Sequence, residues 1–173
     1  MNILNKLYRI FLHFLGSREK EAKFIGVKIG KNCLIGTRNW SSEPYLITIG
    51  NNVQVTKDVY FHTHGGAHVA RHVHPKFDIF GKIVIEDDAY IGSGSHIMPG
   101  VTIGKGSLVA AGSVVSKSIP PREMWGGVPA KFICTVDDYI ERNLPYNLDS
   151  KGLSHDEKKE FLLKLDDSKF IKK

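Results

Sequence analysis

Cysteine is scarce in this chain. Only Cys33 and Cys134 occur among 173 residues, which excludes a disulfide framework, offers no cysteine zinc pair, and suits a reducing cytoplasm. Long apolar runs are also missing: the longest is too short and too charged to cross a bilayer. The first residues lack the small-residue cleavage pattern of a secretory signal. No Cys or Ser stands in a recognisable nucleophile motif, and no RNA-binding or helix-turn-helix signature occurs. Acidic residues are outnumbered, 18 against 24 Lys and Arg. Much of that surplus lies in the N-terminal stretch and the Lys-rich tail, so it reads as a solvated surface and no nucleic-acid partner is expected.

What is present is a repeat. Ile85, Ile91, Ile97, Ile103, Val109 and Val115 recur every six residues, and Ala89, Ser95, Val101, Ser107 and Ser113 follow four residues after the first five of these anchors. A period of six fits neither a helix nor a lone alternating strand. It predicts an all-β solenoid of short strands stacked coil on coil. The repeat starts near Phe24, breaks between Thr37 and Tyr45, resumes at Ile49-Gly50, and breaks again from about His64 to Lys82. Pro120-Pro121 is expected to end it, since proline cannot donate to a ladder. The expected organisation is an N-terminal helical segment (1–20), the repeat domain (21–135, with a loop at about 64–82) and a helical extension (136–173).

Residues 3–15 read as one amphipathic helix, with Leu4, Leu7, Phe11, Phe14 and Leu15 on a stripe and Gly16 as its stop. In the plainer case it packs on the solenoid or a neighbouring subunit. In the sharper case it is an interfacial anchor making peripheral membrane contact, with Lys6, Arg9 and His13 near lipid headgroups. Beyond Ile133 helices are expected over 136–143 and 154–165, the second opened by a Ser154–Glu157 capping box, and they would cover the open solenoid end.

Six of the eight histidines fall between His62 and His96, most of them in or beside the second break. Breaks in a solenoid become loops on one face, often the binding face. Imidazole, with a pKa of about 6.5, suits both general-base work and metal ligation. A single catalytic histidine among exposed bystanders and a His-rich metal site therefore compete. Spacing does not separate them, because zinc can take histidines from different coils or chains.

The segments Ile91-Gly92-Ser93, Met98-Pro99-Gly100-Val101-Thr102-Ile103-Gly104, Ala111-Gly112-Ser113-Val114-Val115-Ser116-Lys117 and Gly126-Gly127-Val128-Pro129-Ala130-Lys131 resemble the left-handed β-helix (hexapeptide-repeat) acyltransferases. They are most similar to the sugar O-acetyltransferases. Ser42-Glu43-Pro44-Tyr45 and Phe61-His62-Thr63-His64-Gly65-Gly66 are most like the capsular and lipopolysaccharide branch. The resemblance covers roughly residues 24–135 and implies a left-handed parallel β-helix, acetyl-CoA as acyl donor, no metal, and a homotrimer with grooves between subunits. His64 matches the family's catalytic base, and His62 is the reserve candidate, placed to meet substrate. The branch usually has Asp after that histidine, where this chain has Gly65. Glu43, 21 residues earlier, could orient the imidazole as in triads, grip a sugar hydroxyl, or be a surface acid. By the same resemblance Ser93 offers a backbone N–H to the thioester oxygen, Tyr90 takes an aromatic position, Ala111 lets pantetheine lie against the coil, and Ser116, Lys117 and Lys131 flank pantetheine and the nucleotide phosphates.

These matches imply a cytoplasmic acetyl-CoA-dependent O-acetyltransferase acting on a sugar of a surface polysaccharide or its precursor. An N-acetyltransferase of an amino sugar shares fold and donor. A zinc enzyme like the γ-class carbonic anhydrases and a passive scaffold share only the solenoid.

Overall fold

The anchors of the repeat all point inward. In the computed structural model, which describes residues 3–172, Ile85, Ile91, Ile97, Ile103, Val109 and Val115 are fully buried, and Ala89, Ser95, Val101, Ser107 and Ser113 are buried between them. The buried hydroxyls are satisfied locally: Ser95 and Ser113 donate to the Ala110 carbonyl, and Ser107 donates to that of Pro120. Each strand carries one anchor before the chain turns, and the chain visits three sheets in rotation. The first circuit holds β1 (Lys28–Ile29), β2 (Leu34–Ile35) and a bridge at Asn39. The second holds β3 (Ile47–Ile49), β4 (Gln54–Val55) and β5 (Tyr60–Phe61), and the third β6 (Ile83–Ile85), β7 (Tyr90–Ile91) and β8 (His96–Ile97). The fourth holds β9 (Thr102–Ile103), β10 (Leu108–Val109) and β11 (Val114–Val115).

These strands stack in parallel as β1-β3-β6-β9 in the first sheet, β2-β4-β7-β10 in the second and β5-β8-β11 in the third. The register stays in step, so Tyr60 lies beside His96 and His96 beside Val114. The corners have their own signal. Three residues past an anchor the backbone enters the left-handed region, at Asn52 (φ 55°), Asp58 (φ 56°), Asp88 (φ 62°) and Gly106 (φ 65°). Asn, Asp and Gly tolerate that conformation best.

Two expectations are corrected. The strands begin at Lys28 and not near Phe24, because Phe24 belongs to a second helix, α2 (Arg18–Ile25), after α1 (Ile3–Leu15). The Ser17 side chain caps α2, Glu19 and Glu21 occupy its first turn, and Gly26 closes it in the left-handed region. Nor do the prolines stop the ladder. Ile119 still bridges Ile103, β12 (Glu123–Gly127) pairs in parallel with β10, and β13 (Ala130–Thr135) folds back antiparallel on β12. Pro120 and Pro121 fall on a corner, where no ladder donor is needed.

The buried Glu21 carboxylate fastens both helices to the first circuit. It accepts from Arg38 Nε at 2.6 Å and meets His13 Nδ1 at 3.0 Å. The chain divides into two compact units, Met1–Val136 and Asp137–Lys173. Around and beyond that boundary, α4 (His155–Leu163) follows α3 (Val136–Asn143) and opens with the expected Ser154–Glu157 capping box, ending two residues early at Leu163. Among the described residues no helix is long and apolar enough to cross a membrane.

Candidate active site

Both breaks in the repeat leave the stack at one corner, where the chain passes from the third sheet to the first. The earlier excursion runs from the Asn39 bridge to β3, and the later one from β5 to β6. They leave successive circuits, so one lies against the other. Along β5 and beyond, side chains alternate: Phe61 and Thr63 are buried, while Tyr60, His62 and His64 point outward. The later excursion is closed at its neck by the Gly65 N–H to Ile79 carbonyl and Gly81 N–H to Thr63 carbonyl bonds, with His64 bridged to Phe80. That neck ties the residues on either side of His64 to the returning strand of the loop.

Glu43 and His64 meet across the two excursions, with Nδ1 of His64 2.9 Å from Oε2 of Glu43. The Thr63 hydroxyl donates to the same oxygen at 2.6 Å, and the Ser41 hydroxyl stands 2.9 Å from Thr63 Oγ1. The Thr63 and His64 hydrogen bonds hold the Glu43 carboxyl below its usual range, the Thr63 bond contributing most. An ionised carboxylate only accepts, so the proton in the His64–Glu43 bond sits on Nδ1. In neutral imidazole that leaves the Nε2 lone pair facing outward as a base. Gly65 stands where a side chain would strike Ile79 Cδ1 at 2.6 Å. Gly65 brings no carboxylate to this place, and the acid that meets the imidazole is Glu43.

His62 shares this face, but its Nε2 lies 2.9 Å from Nδ1 of His96. Burial pushes its pKa down, and the neighbouring His96 and His64 add to the effect. His96 stacks on Tyr60, with ring centroids 4.9 Å apart and planes within 8°. Sequence inspection did not single out His96, Thr63 or Ser41. The strand register that sets His96 beside Tyr60 is the signal that locates the first. His68, His72 and His74 are exposed on the loop around the short 3-10 turn Ala67–Ala70. Among the described residues no three His, Cys, Asp or Glu side chains converge as metal ligands would.

The remaining candidates sort onto different edges. Ser93 and Ala111 occupy successive levels of the corner between the second and third sheets, joined by the Gly112 N–H to Ser93 carbonyl bond of 2.8 Å. The Ser93 hydroxyl braces that corner through Thr56 Oγ1 at 3.0 Å. Gly126, paired with Lys131, rests on Ala110 and continues the same column. Tyr90 lies on the outer face of the second sheet, level with Leu108. Around the Ser93–Ala111 corner, Cβ atoms added at Gly94 or Gly112 would meet nothing within 4 Å. An open strip of small residues runs there, able to take a narrow flexible chain. Ser116 and Lys117 follow β11 and sit on the His64 edge of the third sheet. Ser93 stands at the corner entering the third sheet and His64 beyond the corner leaving it, so that sheet lies between the two groups.

The sequence matches two family models, described as bacterial transferase hexapeptide (six repeats) over residues 82–117 and hexapeptide repeat of succinyl-transferase over residues 26–56. Protein CapG of Staphylococcus aureus is 41% identical over 162 residues, covering 90% of this chain and 94% of CapG. Galactoside O-acetyltransferase of Escherichia coli (strain K12) is 34% identical over 114 residues, 65% of this chain but only 55% of that protein. Among solved structures, a maltose O-acetyltransferase from Clostridium difficile 630 aligns with a TM-score of 0.55 at 26% identity, covering 75% of this chain and 82% of its own. A galactoside acetyltransferase in complex with coenzyme A aligns with a TM-score of 0.53 at 25% identity, covering 80% and 82%. With its repeat, its sheets and these relatives in agreement, the chain belongs to the hexapeptide-repeat acyltransferases, of the sugar O-acetyltransferase type, and is an acetyltransferase.

Proposed function

We propose that this chain is an acetyl-CoA-dependent O-acetyltransferase, built as a left-handed parallel β-helix, that acetylates a hydroxyl of a sugar in a surface polysaccharide or its precursor. The observation that carries this is the 2.9 Å contact between His64 and an ionised Glu43, which presents Nε2 as a base. His64 Nε2 takes the proton of the sugar hydroxyl as that oxygen attacks the thioester carbonyl. The C–O bond forms, the C–S bond breaks, and the thiolate recovers the proton from the imidazolium. Glu43 stabilises the imidazolium between those events, and the Ser93 N–H steadies the carbonyl oxygen. Transfer is direct, in a ternary complex. The Ser93–Ala111 strip takes pantetheine, Tyr90 flanks it, and Lys131 and Lys117 meet phosphate. An acceptor cleft of about 440 Å³, lined by Arg9, Phe24, Ser41, Ser42 and Tyr45, lies against the segment that carries Glu43; His62, on the outer face just past β5, is the further candidate for acceptor contact.

Glu43→Gln keeps the shape of the side chain but loses the charge that stabilises imidazolium. Steady-state kinetics should show kcat down about 10- to 100-fold with the KM for acetyl-CoA unchanged. An unchanged kcat would leave Glu43 as no more than a tie between the two excursions.

The separation of Ser93 from His64 calls for a second subunit, and the family resemblance for a cytoplasmic homotrimer. The corner bearing Ser93, Ala111 and Lys131 of one subunit would then face the edge bearing His64, Ser116 and Lys117 of the next. Complementation tests this. Co-expression of His64→Ala chains with Ala111→Trp chains, each inactive alone, should restore about a quarter of wild-type activity, because on equal random mixing a quarter of all interfaces carry two intact halves. No recovery, or a monomer by light scattering, excludes the shared site.

A further inference from the structure

Within its own compact unit, the outward face of α1 has no partner among the described residues. Leu12 is buried on the inward side, the Tyr8 ring packs edge-on against Phe24 at 5.1 Å, and Asn5 and Arg9 line the cleft beside Ser41 and Tyr45. At helical spacing the opposite face holds Ile3, Leu7, Ile10, Phe11 and Phe14, each more than half exposed. An exposed apolar strip of this kind marks an interaction surface. Thirteen residues of helix are too few to span a bilayer.

Charge identifies the occupant. Residues 1–31 carry seven Lys and Arg against two acids, Glu19 and Glu21. Both acids are already paired, Glu19 with Lys23 and Glu21 with Arg38. Two copies of this face docked on each other would set one basic surface against another. An anionic bilayer would satisfy both features, taking the apolar face at the acyl boundary and the basic residues among its headgroups. We propose that α1 is an interfacial helix that seats the protein on an anionic membrane surface.

The full-length protein should co-sediment with vesicles of mixed phosphatidylcholine and phosphatidylglycerol at least about tenfold better than with phosphatidylcholine alone, and salt should weaken the binding. Leu7→Asp combined with Phe11→Asp changes only exposed positions, so thermal unfolding and oligomeric mass should stay as in the wild type while vesicle binding falls at least about tenfold. Lys6→Glu should weaken binding about fivefold or more. No preference for anionic vesicles, or full binding by the double variant, would overturn the proposal. So would a smaller oligomer in the double variant, since the face would then be a contact between copies.

Discussion

His64→Ala is expected to lower kcat by about 10²- to 10⁴-fold while leaving the KM for acetyl-CoA near its wild-type value. A sugar hydroxyl is a poor nucleophile until its proton is removed as the new bond forms, and His64 is the group placed for that removal. Its Nδ1 is committed to Glu43 at 2.9 Å, and its side chain is 45% exposed, leaving Nε2 open to an acceptor. His62 is the natural understudy, but its Nε2 is engaged by His96. The readout is initial-rate kinetics on an acceptor found by screening plain and amino sugars with labelled acetyl-CoA. A His64→Ala enzyme within threefold or so of wild type would sink the assignment, because general-base catalysis is worth far more than that.

The largest effect on stability is expected at Phe61. This ring is 2% exposed and stacks on buried Trp40, with centroids 5.0 Å apart and planes 8° from parallel. Phe61→Ala empties an aromatic volume between two circuits whose strands are too short to shift into it, and should cost about 3–5 kcal/mol. For a chain of this size the unfolding midpoint should fall by about 10 °C. Phe61 also sits three residues before His64, so activity at low temperature should drop with it. A loss under about 1 kcal/mol in urea unfolding would mean that the core closes over the cavity.

The repeat was readable from the sequence because one physical rule, a buried aliphatic every six residues, governs the clean run from Ile85 to Val115. The Glu43–His64 meeting was half readable. Their spacing of 21 residues suggests facing positions only once both are known to leave successive circuits at one corner. Thr63 and Ser41 escaped notice because a hydroxyl that carries no charge and repeats nowhere has no pattern. The second helix was hidden for the opposite reason. Its Phe24 and Ile25 matched the apolar start of a repeat, and only the Ser17 and Gly26 caps distinguish a helix from a strand there. The prolines misled because a rule about strand interiors was applied to a corner.

The closed neck beneath the later excursion has a consequence for how such enzymes diversify. The two backbone bonds that tie Gly65 to Ile79 and Thr63 to Gly81 isolate the tip of the loop from the residues below it. Segments beyond that clasp can be lengthened, shortened or recomposed without displacing the imidazole or the circuits that carry it. The tip can therefore vary like interchangeable bits in a fixed chuck, while the Glu43–His64 pair beneath it keeps its geometry.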